Sequence, residues 1–191
     1  MESKFYMVVS LVAICLISAF ALAQIYAVTK IKIEQQKVAA VQGALTTVLP
    51  SAVRFEEKVS GRLWFGYNEN GARVGIAFQV NPRGYGGPIG ILVGIDTTNK
   101  ITGLRIASPA EGLKETPGLG LKVREPWFTN QFINKKKDEI KLKRDGGTID
   151  AITAATISSR AVVNGTREGL ELYEKYLITD TINFSGEKTN E

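Results

Sequence analysis

Arg73-Val74-Gly75-Ile76-Ala77-Phe78-Gln79-Val80 sets Val74, Ile76, Phe78 and Val80 against Gly75, Ala77 and Gln79. That alternation has the period of two of a strand with one apolar face. Upstream, Leu63 to Tyr67 is a second apolar run, and Asn68-Glu69-Asn70-Gly71 between the two reads as a hairpin turn. Downstream, Ile89, Ile91, Val93 and Ile95 alternate with Gly90, Leu92 and Gly94, and Asp96 to Lys100 turns the chain into a further strand, Ile101 to Ala107. Four strands on turns this short imply a largely antiparallel sheet, because parallel neighbours need a long crossover. The expected fold class is α+β: one N-terminal transmembrane helix, then a domain whose largely antiparallel sheet is packed by helices.

The helices lie outside this block. From Phe5 to Thr29 no residue is charged, a run long enough to span a bilayer at ~1.5 Å per residue. Ala21-Leu22-Ala23 has the small residues of a signal-peptide cleavage site, but we expect an uncleaved single-pass helix. Only Lys4 precedes the span, whereas Lys30, Lys32 and Lys37 follow it; alone, that asymmetry would leave the domain in the cytoplasm. Beyond it Val28, Ile31, Val38, Val41, Leu45 and Val48 recur at helical spacing until Pro50. Within that set Ile31, Val38 and Leu45 form a packing seam for the chain's own domain or for a neighbouring helix. At the other end Val162, Val163, Leu170, Tyr173 and Leu177 face away from Arg160, Arg167, Glu171, Glu174 and Lys175, giving an amphipathic helix of about five turns. Gly165 and Gly169 each cost that helix ~0.5–1 kcal/mol relative to Ala, which a close approach to the sheet would explain. After Asp180 the chain is polar.

Composition excludes several chemistries. The 191 residues contain no histidine and one cysteine, Cys15, inside the apolar run. Neither a Ser-His-Asp nor a Cys-His arrangement can be built from them, nor a zinc site of the usual ligands. One thiolate cannot hold an iron–sulfur cluster. Redox chemistry in this chain would need an organic cofactor. With 24 basic and 19 acidic residues the formal charge is +5, which gives no indication of nucleic acid. The basic run Lys135-Lys136-Lys137 is followed at once by Asp138-Glu139 and reads as a solvated turn.

Three stretches remain to carry function. Gly84-Tyr85-Gly86-Gly87 lacks the G-x-G-x-x-G spacing and precedes a strand, so it is no dinucleotide turn. It is either a tight inter-strand loop or one wall of a ligand site. Ser108 to Gly120 is the longest irregular stretch, with Pro117-Gly118 favouring a type II turn. Trp127-Phe128 and Phe132-Ile133 then supply a short helix, and Ile140, Leu142, Asp145-Gly146-Gly147 and Ile149 read as one more hairpin. The third stretch is Asp150-Ala151-Ile152-Thr153-Ala154-Ala155-Thr156-Ile157-Ser158-Ser159. Two alanines leave the Thr156 hydroxyl unshielded just ahead of the helix, a place suited to a phosphate. Thr153, Thr156 or Ser158 is equally suited to cap that helix.

These stretches carry a family resemblance. Asp150 followed by Thr153-Ala154-Ala155-Thr156 resembles the Asp-x-x-(Ser/Thr)-Gly-Ala-Thr signature of covalently flavinylated proteins. Glu115-Thr116-Pro117-Gly118-Leu119-Gly120 is similar to the loop of the same FMN-binding domain, and Gly84 to Ile89 to its glycine-rich loop. With one N-terminal span and a short length, the chain resembles the G subunits of Rnf-type complexes; the related C subunits of sodium-pumping NADH:quinone reductases are usually longer. Ala154 stands where the signature has Gly, so the attaching enzyme must accept an extra methyl. Leu113-Lys114 stands where many relatives carry histidine.

The resemblance implies FMN joined through its phosphate to the Thr156 hydroxyl as a phosphodiester. A flavin transferase that uses FAD and a metal ion makes the bond. Glu115, Thr116, Gly118 and Leu119 are the expected flavin contacts, with Thr153 and Ala155 from the signature and Tyr85 or Trp64 stacking on the ring. Lys114 and Lys122 flank the site. The expected boundaries are 1–4 (tail), 5–29 (transmembrane helix), 30–50 (membrane-proximal helix), 51–180 (FMN-binding domain) and 181–191 (polar tail). The resemblance further implies an extracytoplasmic flavin domain on the cell membrane, against the lysine asymmetry. That domain relays electrons among the iron–sulfur and flavin subunits of an ion-translocating ferredoxin:NAD oxidoreductase. The chain would have no complete catalytic site and no metal of its own. The alternatives are a flavinylated domain of another membrane reductase, or a non-redox, membrane-tethered binding or assembly module.

Overall fold

A computed structural model describes residues 2–185, with side-chain surroundings for 6–26, 29 and 40–177. It falls into two compact units, Met1–Gln42 and Gly43–Glu191. Helix α1 (Glu2–Val48) fills the described part of the first. No glycine or proline interrupts the sequence before Gly43, so nothing breaks the intrahelical hydrogen bonding. Its stretch Tyr6–Tyr26, of mean hydropathy 2.5 and unburied, is long and apolar enough to cross a membrane. The side chains of Ile31 and Val38 lie outside the described residues.

The second unit begins with the last turns of α1, which end just before Pro50. Its sheet has five strands in sequential order, every neighbour antiparallel: β1 (Arg54–Val59), β2 (Leu63–Tyr67), β3 (Arg73–Val80), β4 (Ile91–Asp96) and β5 (Ile101–Ile106). The expected antiparallel α+β architecture is observed, with one strand more. Residues of β1 are mostly charged and exposed, which suits a sheet edge and hides the strand from any hydrophobic pattern. Ile89 and Gly90 lead into β4 instead of opening it.

The two sheet faces bury different things. Leu63, Phe65, Ile76, Phe78, Val93 and Ile95 join the main core with Phe128, Phe132, Val162, Val163 and Leu170. Trp64, Ala77 and Leu92, one residue out of phase, form a second cluster with Ala44, Leu45 and Val48 from the end of α1. Leu45 thus packs on the chain's own domain.

Over the main core lies α3 (Thr156–Ser185). A Cβ at Gly165 would run into Pro82, and one at Gly169 into Phe78. Both glycines therefore permit the close approach expected of them. Phe78 and Tyr173 stack at 5.0 Å across the contact. The helix continues past Asp180 to Ser185, beyond the apolar pattern; 186–191 lie outside the described residues. The hairpin expected over 140–149 is absent. Leu142 and Ile149 make one isolated parallel bridge, and Lys143–Asp145 is a tight turn ended by Gly146 at φ +80°. Ile140, Leu142 and Ile149 are all buried in the main core, so their apolar pattern reports burial and not strand pairing. Between β5 and α3 the remaining regular elements are short: 3-10 turns and α2 (Pro126–Thr129).

Candidate functional site

Three segments far apart in sequence close on one carboxylate. Glu115, only 5% exposed, accepts the Gly86 N–H at Oε1 (3.1 Å) and the Ser158 hydroxyl at Oε2 (2.7 Å). Gly84 and Gly120 press on it so closely that a Cβ at either would meet the carboxylate oxygens. The glycine-rich loop is thus a wall built around Glu115 as well as a tight connection. It is tightened by a Gly84 N–H to Gly87 carbonyl bond of 2.7 Å. Thr116 reverses the chain on the other side, its carbonyl accepting from the amides of Leu119 and Leu121 (3.2 and 3.1 Å).

Next comes the head of α3. Ala155 N–H donates to Ile152 carbonyl (3.0 Å), closing a turn in which Ala154 sits at φ +62°. The Ser159 hydroxyl accepts from Ile152 N–H (3.0 Å) and donates to Ala155 carbonyl (2.9 Å), riveting the turn to the helix. Thr156 follows as the first helical residue. Among the described residues neither Thr153 nor Thr156 makes a side-chain hydrogen bond, and the Ser158 hydroxyl is spent on Glu115. None of the three hydroxyls caps the helix. The amides of Thr156, Ile157 and Ser158 head α3 and have no helical acceptor, so partial positive charge collects beside a free hydroxyl.

Between these walls opens a cleft of about 470 Å³. Of the residues expected to hold a cofactor, Thr156, Glu115, Thr116, Leu119, Tyr85 and Ala155 line it. Gly118 and Thr153 do not. Gly118 provides the positive φ of the turn (+75°), and Thr153 is exposed in the turn before the helix. Gly120, Ala154, Ile157 and Ser158 also line the cleft and were not expected as contacts. The rim is apolar and open, with Tyr85 71% and Ile157 58% exposed. Trp64 belongs to the second cluster, on the other sheet face from Leu113 and Ala155, so the expectation that it stacks on a ring here is corrected. Asp150 lies outside the cleft as well: it pairs with Lys143 Nζ (2.7 Å) and its N–H donates to Gln131 Oε1 (2.7 Å), anchoring the approach to the turn. Lys114 and Lys122 are exposed and line no part of the cleft.

Residues 84–171 match a family model described as an FMN-binding domain. This range starts at the glycine-rich loop and takes in every wall of the cleft. The chain is 30% identical over 174 residues to the G subunit of the proton-translocating ferredoxin:NAD(+) oxidoreductase complex of Clostridium ljungdahlii, covering 89% of this chain and 91% of that one. It is 30% identical over 175 residues to the G subunit of the ion-translocating oxidoreductase complex of Methanosarcina acetivorans, covering 86% and 91%. A solved structure of the C subunit of the Na(+)-translocating NADH-quinone reductase from Parabacteroides distasonis aligns with a TM-score of 0.49 at 25% identity, over 60% of this chain and 61% of that one.

Proposed function

This chain belongs to the family of G subunits of ion-translocating oxidoreductase complexes, and from that membership we propose that it is a membrane-anchored flavoprotein that relays electrons within such a complex. The observation that carries the reading is the free Thr156 hydroxyl at the head of α3, inside the cleft and without a hydrogen-bond partner among the described residues.

The residues present fit an FMN. A nucleophilic hydroxyl and unpaired helix amides stand on the cleft wall, and apolar Tyr85, Leu119 and Ile157 offer faces for a planar ring. Attachment exchanges the Thr156 Oγ1 proton for a bond to phosphorus, with FAD as donor and AMP as leaving group, under a separate flavin transferase. The α3 amides then favour the negative phosphodiester by ~0.3–1 kcal/mol. An open rim this exposed retains a ring poorly by burial alone, and a covalent tether at Thr156 removes that requirement. Bound FMN supplies one-electron acceptance and release, chemistry that a chain with no histidine and a lone cysteine lacks. Tyr85, Leu119 and Ile157 leave one side of the cleft open toward iron–sulfur and flavin subunits of the complex. We place this domain outside the cytoplasm, giving the family more weight than the three lysines beyond the span, since long domains translocate largely regardless of charge.

The test is the intact mass of the chain from its native host. Wild-type protein should be heavier by one FMN less water and fluoresce in a denaturing gel. Thr156→Ala should abolish both signals. Thr153→Ala, outside the cleft, should keep them. An unmodified wild-type mass would leave a membrane-tethered binding module instead.

A further inference from the structure

Glu115 is a buried carboxylate held by neutral donors alone. Its two hydrogen bonds come from a backbone amide and a serine hydroxyl, and among the described residues it forms no ion pair. The charged side chains on the segments around it, Arg83 on the glycine-rich loop and Lys114 and Lys122 on its own loop and the following turn, are exposed. The first turn of α3, 156–159, carries no charge, and among the described residues that line the cleft Tyr85 is the one other titratable group. Burying a charge so is costly.

Shape does not demand that cost. A glutamine would fit the same space, its carbonyl accepting from Gly86 N–H and its amide donating to Ser158 Oγ, because a serine hydroxyl turns readily from donor to acceptor. What sets the carboxylate apart from that amide is its negative charge, and it stands in the wall of the cleft.

We infer that Glu115 tunes the reduction potential of the redox group bound in this cleft, holding it low by placing a negative charge where screening is weak. This rests on the reading of the cleft as an FMN site. An electron arriving in the cleft meets an existing negative charge, so reduction is harder than it would be beside a neutral wall. The Ser158 and Gly86 donors offset part of that charge.

The experiment is a redox titration of the flavin-bearing full chain in detergent, followed by flavin absorbance. Glu115→Gln, carrying attached flavin, should shift the midpoint potential in the positive direction. Ser158→Ala removes one donor and leaves the carboxylate, so its midpoint should stay or move negative. Opposite or unequal signs separate charge from mere distortion, which would move both variants alike. An unchanged potential in flavin-bearing Glu115→Gln overturns the inference and leaves the FMN reading standing. So does an equal positive shift in both variants, or a folded Glu115→Gln chain that never acquires flavin beside a loaded wild type. A wild-type chain without flavin overturns the FMN reading and this inference together.

Discussion

Ala154 occupies left-handed backbone at φ +62°, a conformation that costs a residue with a Cβ roughly 1–2 kcal/mol. Read as letters, the alanine in the glycine position of the signature raises a question of steric access to Thr156. In the folded chain it is first a question of backbone, because this turn sets the direction in which Thr156 enters α3. Ala154→Gly should therefore relieve about 1 kcal/mol of native strain and lose roughly 0.4–1 kcal/mol to the greater freedom of the unfolded chain. The expected net effect is between neutral and about 0.6 kcal/mol stabilising, read as the urea midpoint. Ala161→Gly, inside α3, should instead cost ~0.5–1 kcal/mol. Destabilisation by Ala154→Gly comparable to that control would contradict the left-handed turn. The lining of the cleft was legible where a local string carried it, as with Thr156 and Glu115. Ser158 was not, since its partner lies 43 residues away and locally it resembles only another capping hydroxyl.

At the scale of elements, burial and pairing must be told apart. Ile140, Leu142 and Ile149 announce burial correctly but not the absence of a ladder. The edge strand β1 announces nothing, because its exposed charged residues suit a sheet edge as well as they suit a loop. The end of β5 was equally silent, although an ionic lock sits there. Arg105 binds Glu111 at 2.8 Å, and Glu111 also accepts the Ser108 N–H at 2.7 Å, fastening the turn that follows the strand. Burial alone would raise the Glu111 carboxyl, but bonds from Ser108 and Arg105 outweigh it and hold it at about 2 against an ordinary 4.5. A depressed carboxyl stabilises the fold above its unfolded value and loses that contribution as pH falls toward the folded one. The full depression is worth at most ~3 kcal/mol. With the side chain 37% exposed, screening leaves about 1 kcal/mol. Glu111→Gln should thus be about 1 kcal/mol less stable than wild type at pH 7, and the two should converge between pH 4.5 and about 2. Urea unfolding across that range checks both the size and the window.

At the scale of the whole domain, one sheet serves two purposes, and the glycines show where. On the face away from the cleft, Gly66 pairs with Gly75 and Gly94 with Gly103 across the strands. A Cβ at Gly94 or Gly103 would strike the backbone of Val48, and one at Gly66 the side chain of Leu49. Four strands thus leave a trough in which the end of α1 lies, fixed by a 2.6 Å bond from the Thr102 hydroxyl to the Val48 carbonyl. Taken singly in the sequence, each glycine only weakens its strand; the trough exists only once register brings them together. Gly94→Ala should push Val48 out and cost about 1–3 kcal/mol by overpacking. Trp64 reports on it, since it is buried beside Val48 while Trp127, the other tryptophan, is half exposed. In a Trp127→Phe background made without flavin, Gly94→Ala should red-shift the remaining emission and lower the urea midpoint. On the proposed reading, flavin attachment at Thr156 should persist when a transferase is supplied, because the cleft draws on the opposite core. Unchanged emission and stability would mean that the trough does not hold Val48. Loss of flavin attachment would mean that the two faces are coupled, and that seating the end of α1 is itself a condition for building the cleft.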